Sequence, residues 1–180
     1  MKTKVVFLAG FMGSGKSTIG PILANTIGWN FFDLDRVIES KQGKKIVDIF
    51  FEKGEEGFRS LEREILKEIT EGENIIISLG GGTIADQKNI NFMKKKGKII
   101  FLEASAESFY KRLRFKADRP MLMGKDKELL SQSELKQRIA EILKYRRKFY
   151  KQADISLKTD DITIGRTVDT ISRIILKDFQ

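Results

Sequence analysis

Cysteine and histidine are both absent from the 180-residue chain. Without cysteine there is no disulfide and no thiolate metal site, and without histidine the commonest general base and transition-metal ligand is gone. Acid or base chemistry therefore falls to Asp, Glu, Lys or Tyr. Also missing is any unbroken apolar run near the roughly 20 residues that a membrane helix requires. The opening MKTKVVFLAG leads straight into a glycine-rich loop, with no small-residue cleavage site. A soluble, cytoplasmic protein with no membrane partner is expected. No internal repeat or low-complexity linker interrupts the chain. Its 41% hydrophobic content suffices for one sizeable core, so residues 1–180 are expected to form a single domain, with a monomer as the working expectation.

Charge is abundant, and the net value is +9. Stretches such as MKKKGK and KYRRKFYK scatter it through helix-like segments without the aromatic interleaving of a single-strand binder. Most of it reads as solvated surface, with a few cations left to meet small anions and no nucleic-acid partner expected.

The hydrophobic pattern alternates between two periods. KVVFLAG, residues 4–10, is a short apolar run rich in β-branched residues and ending in Gly, as a buried parallel strand does. Behind it Ile19, Ile22, Leu23 and Ile27 recur at helical spacing. WNFFDLD is a second strand candidate, followed by helical stretches through RVIESKQG and KIVDIFFEKG. A longer helix from Glu55 to Glu71 carries Phe58, Leu61, Ile65 and Ile69 on one face. NIIISLGGG and KGKIIFLEAS are further strands, with a helix from about Glu107 to Phe115. ADISLK is a last short strand, and Val168, Ile171 and Ile175 mark a closing helix. Parallel strands need crossovers, and crossovers cover both faces, so the expectation is a three-layer α/β fold with a parallel sheet. The one irregular stretch of any size, KADRPMLMGKDKE, mixes charge, Pro and Gly as a flap would.

GFMGSGKST, residues 10–18, carries the clearest chemistry. Gly10 to Ser17 fits G-x-x-x-x-G-K-[ST] with a strand before it and a helix after it. In that setting backbone N–H groups curl around phosphate oxygens and the helix N-terminus adds its positive end. Gly13, Ser14, Gly15, Lys16, Ser17 and Thr18 are the expected ATP contacts. Lys16 would reach the β and γ phosphates, and Ser17 would hold Mg²⁺ through its hydroxyl.

The loop leaves the acceptor open. No guanine-reading N-K-x-D is present, and the strand where a Walker B carboxylate would stand ends in SLGGG. The carboxylates sit instead at Asp33 and Asp35. Period-two alternation would send both from one face of the second strand toward the loop crest, one assisting Mg²⁺ through water and the other taking a proton from an incoming hydroxyl. Alone, DLD reads equally as a turn and helix cap. Arg59 alone reads as a surface ion pair with Glu55, Glu56 or Glu62, the three glycines at 80–82 as a tight bend, and Arg119 as loop.

Taken in series, the phosphate loop, DLD, GEEGFRSLERE, SLGGG, RPML and RRKFYKQAD resemble the shikimate kinases in residue type, order and spacing, from Val5 to about Asp154. The resemblance implies a P-loop kinase of the nucleoside monophosphate kinase type with five parallel strands. It also implies phosphorylation of the 3-hydroxyl of shikimate by MgATP, a step toward chorismate and the aromatic amino acids. It makes Asp35 the residue that holds the substrate hydroxyls and draws the proton, with Asp33 a partner of the metal. Arg59 would grip the substrate carboxylate and Glu62 would orient it. The glycine run itself also reads as a close backbone approach of Gly80, Gly81 and Gly82 to a ring. The resemblance gives the middle one, Gly81, the substrate contact, and residues 115–127 would form a lid bringing Arg119 to the transferring phosphates. Arg112 would stack near the adenine, and Arg146 would be a second carboxylate-gripping arginine.

Two departures stand out. Lys148 occupies a position where proline is common, and with Arg147 beside Arg146 the register of the second arginine is open by one residue. TDDITIG lacks the basic residue that some members place near the adenine. Rival readings are a gluconate-type kinase, a silent ligand-binding relative and a basic nucleic-acid binder. The FR…E helix and the triple glycine argue against the first, and the intact set of catalytic residue types against the second. Replacing Lys16 by Ala is expected to abolish phosphoryl transfer, measured as ADP release, while leaving thermal unfolding unchanged. Undiminished turnover overturns the reading of the loop.

Overall fold

The computed structural model describes residues 4–114 and 130–178. Five strands, β1 (Val5–Gly10), β2 (Asn30–Asp33), β3 (Ile75–Ser78), β4 (Lys98–Glu103) and β5 (Ile155–Lys158), form one parallel sheet in the order β2-β3-β1-β4-β5. Between and after them come α1 (Lys16–Ile27), α2 (Leu34–Gln42), α3 (Ile46–Ile69), α4 (Gln87–Lys96), α5 (Ala106–Leu113), α6 (Gln132–Tyr150) and α7 (Ile164–Asp178). Among the described residues, no helix is long and apolar enough to cross a membrane.

The all-apolar central strands follow from burial on both faces. On β1, Val5, Phe7 and Ala9 point to one side, where α2, α3, α4 and the end of α6 supply Leu34, Ile38, Phe58, Ile65, Ile90 and Phe149. Val6 and Leu8 point to the other, against Ile19 and Leu23 of α1 and Val168, Ile171 and Ile175 of α7. The period-two alternation of one strand thus divides the core into two layers. Ile22, expected to join the α1 face, is 44% exposed; a turn of 3.6 residues carries it past the edge of the stripe that Ile19 and Leu23 define.

Two features position the site. Parallel pairing sets Asp33 level with Ser78, and Ser78 level with Leu8, so the loops after β2, β3 and β1 leave the same edge of the sheet. In addition α3 is broken at Gly54, whose φ of 66° and ψ of −179° interrupt the helix. The second half begins at Glu55, where the sequence pattern put the start of a separate helix.

The tightest backbone approach lies away from that edge. Gly97, between α4 and β4, sits against β1 so closely that a Cβ there would stand 1.9 Å from the Val5 carbonyl oxygen. Because that oxygen belongs to the central strand, neither side can yield cheaply. Gly97→Ala should destabilise the chain by about 1–3 kcal/mol, read as a fall in denaturation midpoint; an unchanged midpoint would contradict this packing.

Candidate active site

The loop after β1 is built for an anion. Gly13 (φ 78°) and Gly15 (φ 98°) take left-handed conformations that curl the backbone. The N–H groups of Thr18 and Ile19 bond to the Gly15 carbonyl at 3.0 and 2.8 Å, which starts α1 directly at the loop's end. The Lys16 ammonium folds back over the loop, donating to the carbonyls of Gly10 (2.8 Å) and Phe11 (3.2 Å) and to Ser14 Oγ (3.4 Å). Ser14 is buried, whereas Ser17 and Thr18 in the first turn of α1 are exposed.

Arg112, on α5, spans the gap beside this loop. Its guanidinium donates to the Gly13 carbonyl at 3.2 Å and to the Thr159 carbonyl at 3.1 Å. The turn after β5 is fixed by Asp160, which accepts from the Ser105 N–H and hydroxyl and from the Ser108 hydroxyl. Those hydrogen bonds, the one from Ser108 foremost, hold the Asp160 carboxyl below the usual carboxylate range. The sequence reading noted only a missing base in TDDITIG; the acid beside it ties this turn to the start of α5.

The two carboxylates after β2 do not sit as strand alternation predicted. β2 ends at Asp33, whose side chain accepts from the Arg36 N–H at 3.3 Å and so caps α2. Asp35 already belongs to the first turn of that helix. Their closeness comes from the strand-to-helix corner, because the capping carboxylate ends the extended backbone one residue too early for alternation to apply. Burial, reinforced by the negative charges of Asp33 and Glu62, pushes the Asp35 carboxyl up to about 6, with Lys16 pulling the other way.

Directly after β3, each of the three glycines is faced by one charged side chain. A Cβ on Gly80 would lie 2.5 Å from Asp35 Oδ1, one on Gly81 2.9 Å from Arg146 Nη1, and one on Gly82 2.3 Å from Arg59 Nη2. Side chains from α2, α6 and α3 therefore converge on three residues of bare backbone. Arg59 pairs with Glu62 at 2.9 Å and lies 5.3 and 5.8 Å over the rings of Phe58 and Phe50. Glu62 is buried and also accepts from the buried Thr83 hydroxyl at 2.7 Å.

The register of α6 is equally definite. Arg146 is buried and Arg147 is exposed. Arg146 continues the inward stripe of Leu135, Ile139, Ile142 and Phe149, a spacing that was present in the sequence and points to 146 rather than 147. It lies beside Tyr150, whose hydroxyl is pushed up by burial and held back by the guanidinium. Tyr150 in turn stacks on Phe101 of β4 with ring centroids 4.2 Å apart. Arg59, Gly82 and Arg146 line an open crevice of about 870 Å³ between α3, α4 and α6. Arg119 and the expected lid at 115–127 lie outside the described residues. Thr83 and Asp160 are the residues that the sequence did not single out.

A family model described as shikimate kinase matches residues 12–176. A shikimate kinase of Chlorobaculum tepidum is 47% identical over 169 residues, covering 94% of this chain and 88% of that one. Among solved structures, a shikimate kinase from Bacteroides thetaiotaomicron superimposes with a TM-score of 0.86 at 37% identity, covering 95% of this chain and 97% of that chain. One from Acinetobacter baumannii in complex with shikimate gives 0.84 at 30% identity, covering 98% and 94%.

A carboxyl that titrates near 6 accepts a proton only once it is ionised. For this site kcat/KM for the acceptor should fall by about tenfold per pH unit below roughly pH 6 and level off above it. A flat profile from about pH 5 to pH 8 would remove Asp35 from the proton's path.

Proposed function

The chain belongs to the shikimate kinase family, and on that premise we infer that the acceptor lies against Gly80, Gly81 and Gly82, among Asp35, Arg59 and Arg146 and beside the phosphate loop. The reaction is transfer of the terminal phosphoryl group of ATP to the 3-hydroxyl of shikimate, giving ADP and shikimate 3-phosphate on the route to chorismate and the aromatic amino acids. The observation that carries the site assignment is the convergence of these three side chains on Gly80, Gly81 and Gly82.

In this reading the two guanidiniums take the ring carboxylate, since a planar fork matches two oxygens in a way an ammonium does not. Asp35 accepts from the ring hydroxyls. The 3-oxygen forms its bond to the γ-phosphorus as the bond from that phosphorus to the bridging oxygen of ADP breaks, and the hydroxyl proton passes to an Asp35 oxygen. The transition state is loose, so orientation of the hydroxyl is a large part of what Asp35 supplies. Lys16, held over the loop by its own carbonyls, stands where charge builds on the β and γ phosphates. Arg112 borders the nucleotide between Gly13 and Thr159. The family resemblance assigns Arg119, which lies outside the described residues, to the charge on the transferring phosphates.

The donor set suits Mg²⁺. Among the described residues no group of three or more acidic, His or Cys side chains could cage a metal. That is in keeping with an ion held largely by substrate phosphates and water, with the exposed Ser17 hydroxyl and the Asp33 carboxylate as the protein's share. When bound, it neutralises charge on the phosphates. The reading includes a cytoplasmic monomer whose excess positive charge serves no nucleic acid.

An ADP-release assay tests the assignment. Shikimate should stimulate release strongly and gluconate should leave it at background. Asp35→Asn should lower kcat by about 10²–10⁴-fold with little change in the KM for ATP. Equal stimulation by gluconate, or full turnover in the Asn variant, would overturn it.

A further inference from the structure

Glu62 is a carboxylate almost removed from water, 1% exposed. Such a charge persists only where its oxygens are satisfied. Oε2 accepts from Arg59 Nη1 at 2.9 Å, and Oε1 accepts from Thr83 Oγ1 at 2.7 Å. Thr83 is itself held on both sides. Its N–H bonds to the Gly80 carbonyl at 3.2 Å, and its carbonyl accepts from Asn89 Nδ2 of α4 at 3.0 Å. It also follows Gly82 directly, the residue whose bare backbone leaves room for the Arg59 guanidinium.

We propose that Thr83 is a positioning residue for recognition of the acceptor carboxylate, acting through Glu62 to fix the rotation of the Arg59 fork. The rings of Phe50 and Phe58 support the face of that guanidinium, but a ring face sets no direction in its own plane. Direction comes from the carboxylate that Nη1 meets at 2.9 Å, since the second one, Glu55, is exposed and stands 3.9 Å from Nε. A carboxylate held at one oxygen only can swing about that contact. The Thr83 hydroxyl pins the second oxygen, so Glu62 becomes a fixed bracket and the remaining edge of the fork is aimed into the crevice. All of these contacts lie in α3, α4 and the turn between β3 and α4, so the nucleotide half of the site has no part in them.

The inference rests on the reading that Arg59 grips the substrate carboxylate, and the test keeps the two apart. Thr83→Val preserves shape and removes the donor, whereas Thr83→Ser keeps the donor. The Val variant should raise the KM for shikimate by about five- to tenfold, from a buried acceptor left unmet. The Ser variant should stay near the parent, and the KM for ATP should not move in either. In a Glu62→Gln background the Val substitution should add little, because the two act as one unit. If Val does not yield folded protein by thermal unfolding, Thr83→Ala takes its place. An unchanged shikimate KM in the Val variant, or equal rises in both KM values, overturns the proposal. Arg59→Lys is the control. If it leaves the shikimate KM unchanged, the reading of Arg59 itself fails; if it raises that KM while Thr83→Val does not, only the role of Thr83 fails.

Discussion

No side chain can stand at positions 80, 81 or 82 without displacing a charged group. The space that three Cβ atoms would fill is where Asp35, Arg146 and Arg59 come to rest. This constraint reaches back into the sheet. The glycines sit at the end of β3 because Ser78 is paired level with Leu8 of β1 and Asp33 of β2, and that register places the bare backbone between the phosphate loop and the capped start of α2. Shifting β3 by one residue would exchange the two faces of the strand and carry the turn away from both neighbours. Core packing and the site are therefore two consequences of one alignment.

The charges gathered there are costly to hold. Asp35 is raised to about 6 by burial and by Asp33 and Glu62, so folding favours its protonated form. The sign is definite: that contribution to stability is fully present below the ordinary carboxylate value of 3.8 and is lost as pH rises through about 6. Above that range the chain carries an ionised Asp35 that its own surroundings disfavour. On the proposed function a substrate hydroxyl donating to that carboxylate would relieve the imbalance, so that binding energy and strain in the free site would be two views of one interaction.

Much of this was legible in the sequence, for physical reasons that differ by element. The central strands follow from short apolar runs buried on both faces, and the phosphate loop from its glycine spacing between a strand and a helix. The break at Gly54 was visible because the apolar phase restarts after it. The geometry of Asp33 and Asp35 was misread, because a capping carboxylate ends a strand before its periodicity runs out. The register of α6 was readable in principle, since Arg146 lies in phase with Ile139, Ile142 and Phe149 while Arg147 points about a hundred degrees away. Thr83 and Asp160 were not readable. Each acts through a partner more than 20 residues distant, Glu62 for one and Ser105 for the other, and no local period encodes such a pairing.

The division of labour within the site bears on selectivity. In the proposed function phosphate would be met largely by backbone and one lysine, a surface indifferent to what the phosphate is attached to. On the same proposal the acceptor would be met by side chains fixed in direction: two guanidiniums braced by rings, carboxylate and tyrosine, and one carboxylate lodged against Gly80. A neutral polyol entering the proposed acceptor site would offer Arg59 and Arg146 no carboxylate of its own. A flexible chain acid would have to surrender rotational freedom that a ring has already lost. Discrimination of this kind comes less from what the right acceptor gains than from charges the wrong one leaves unmet. It holds only while those charges cannot turn to find other partners, which is why rigidity around Arg59 and Arg146 matters as much as their presence.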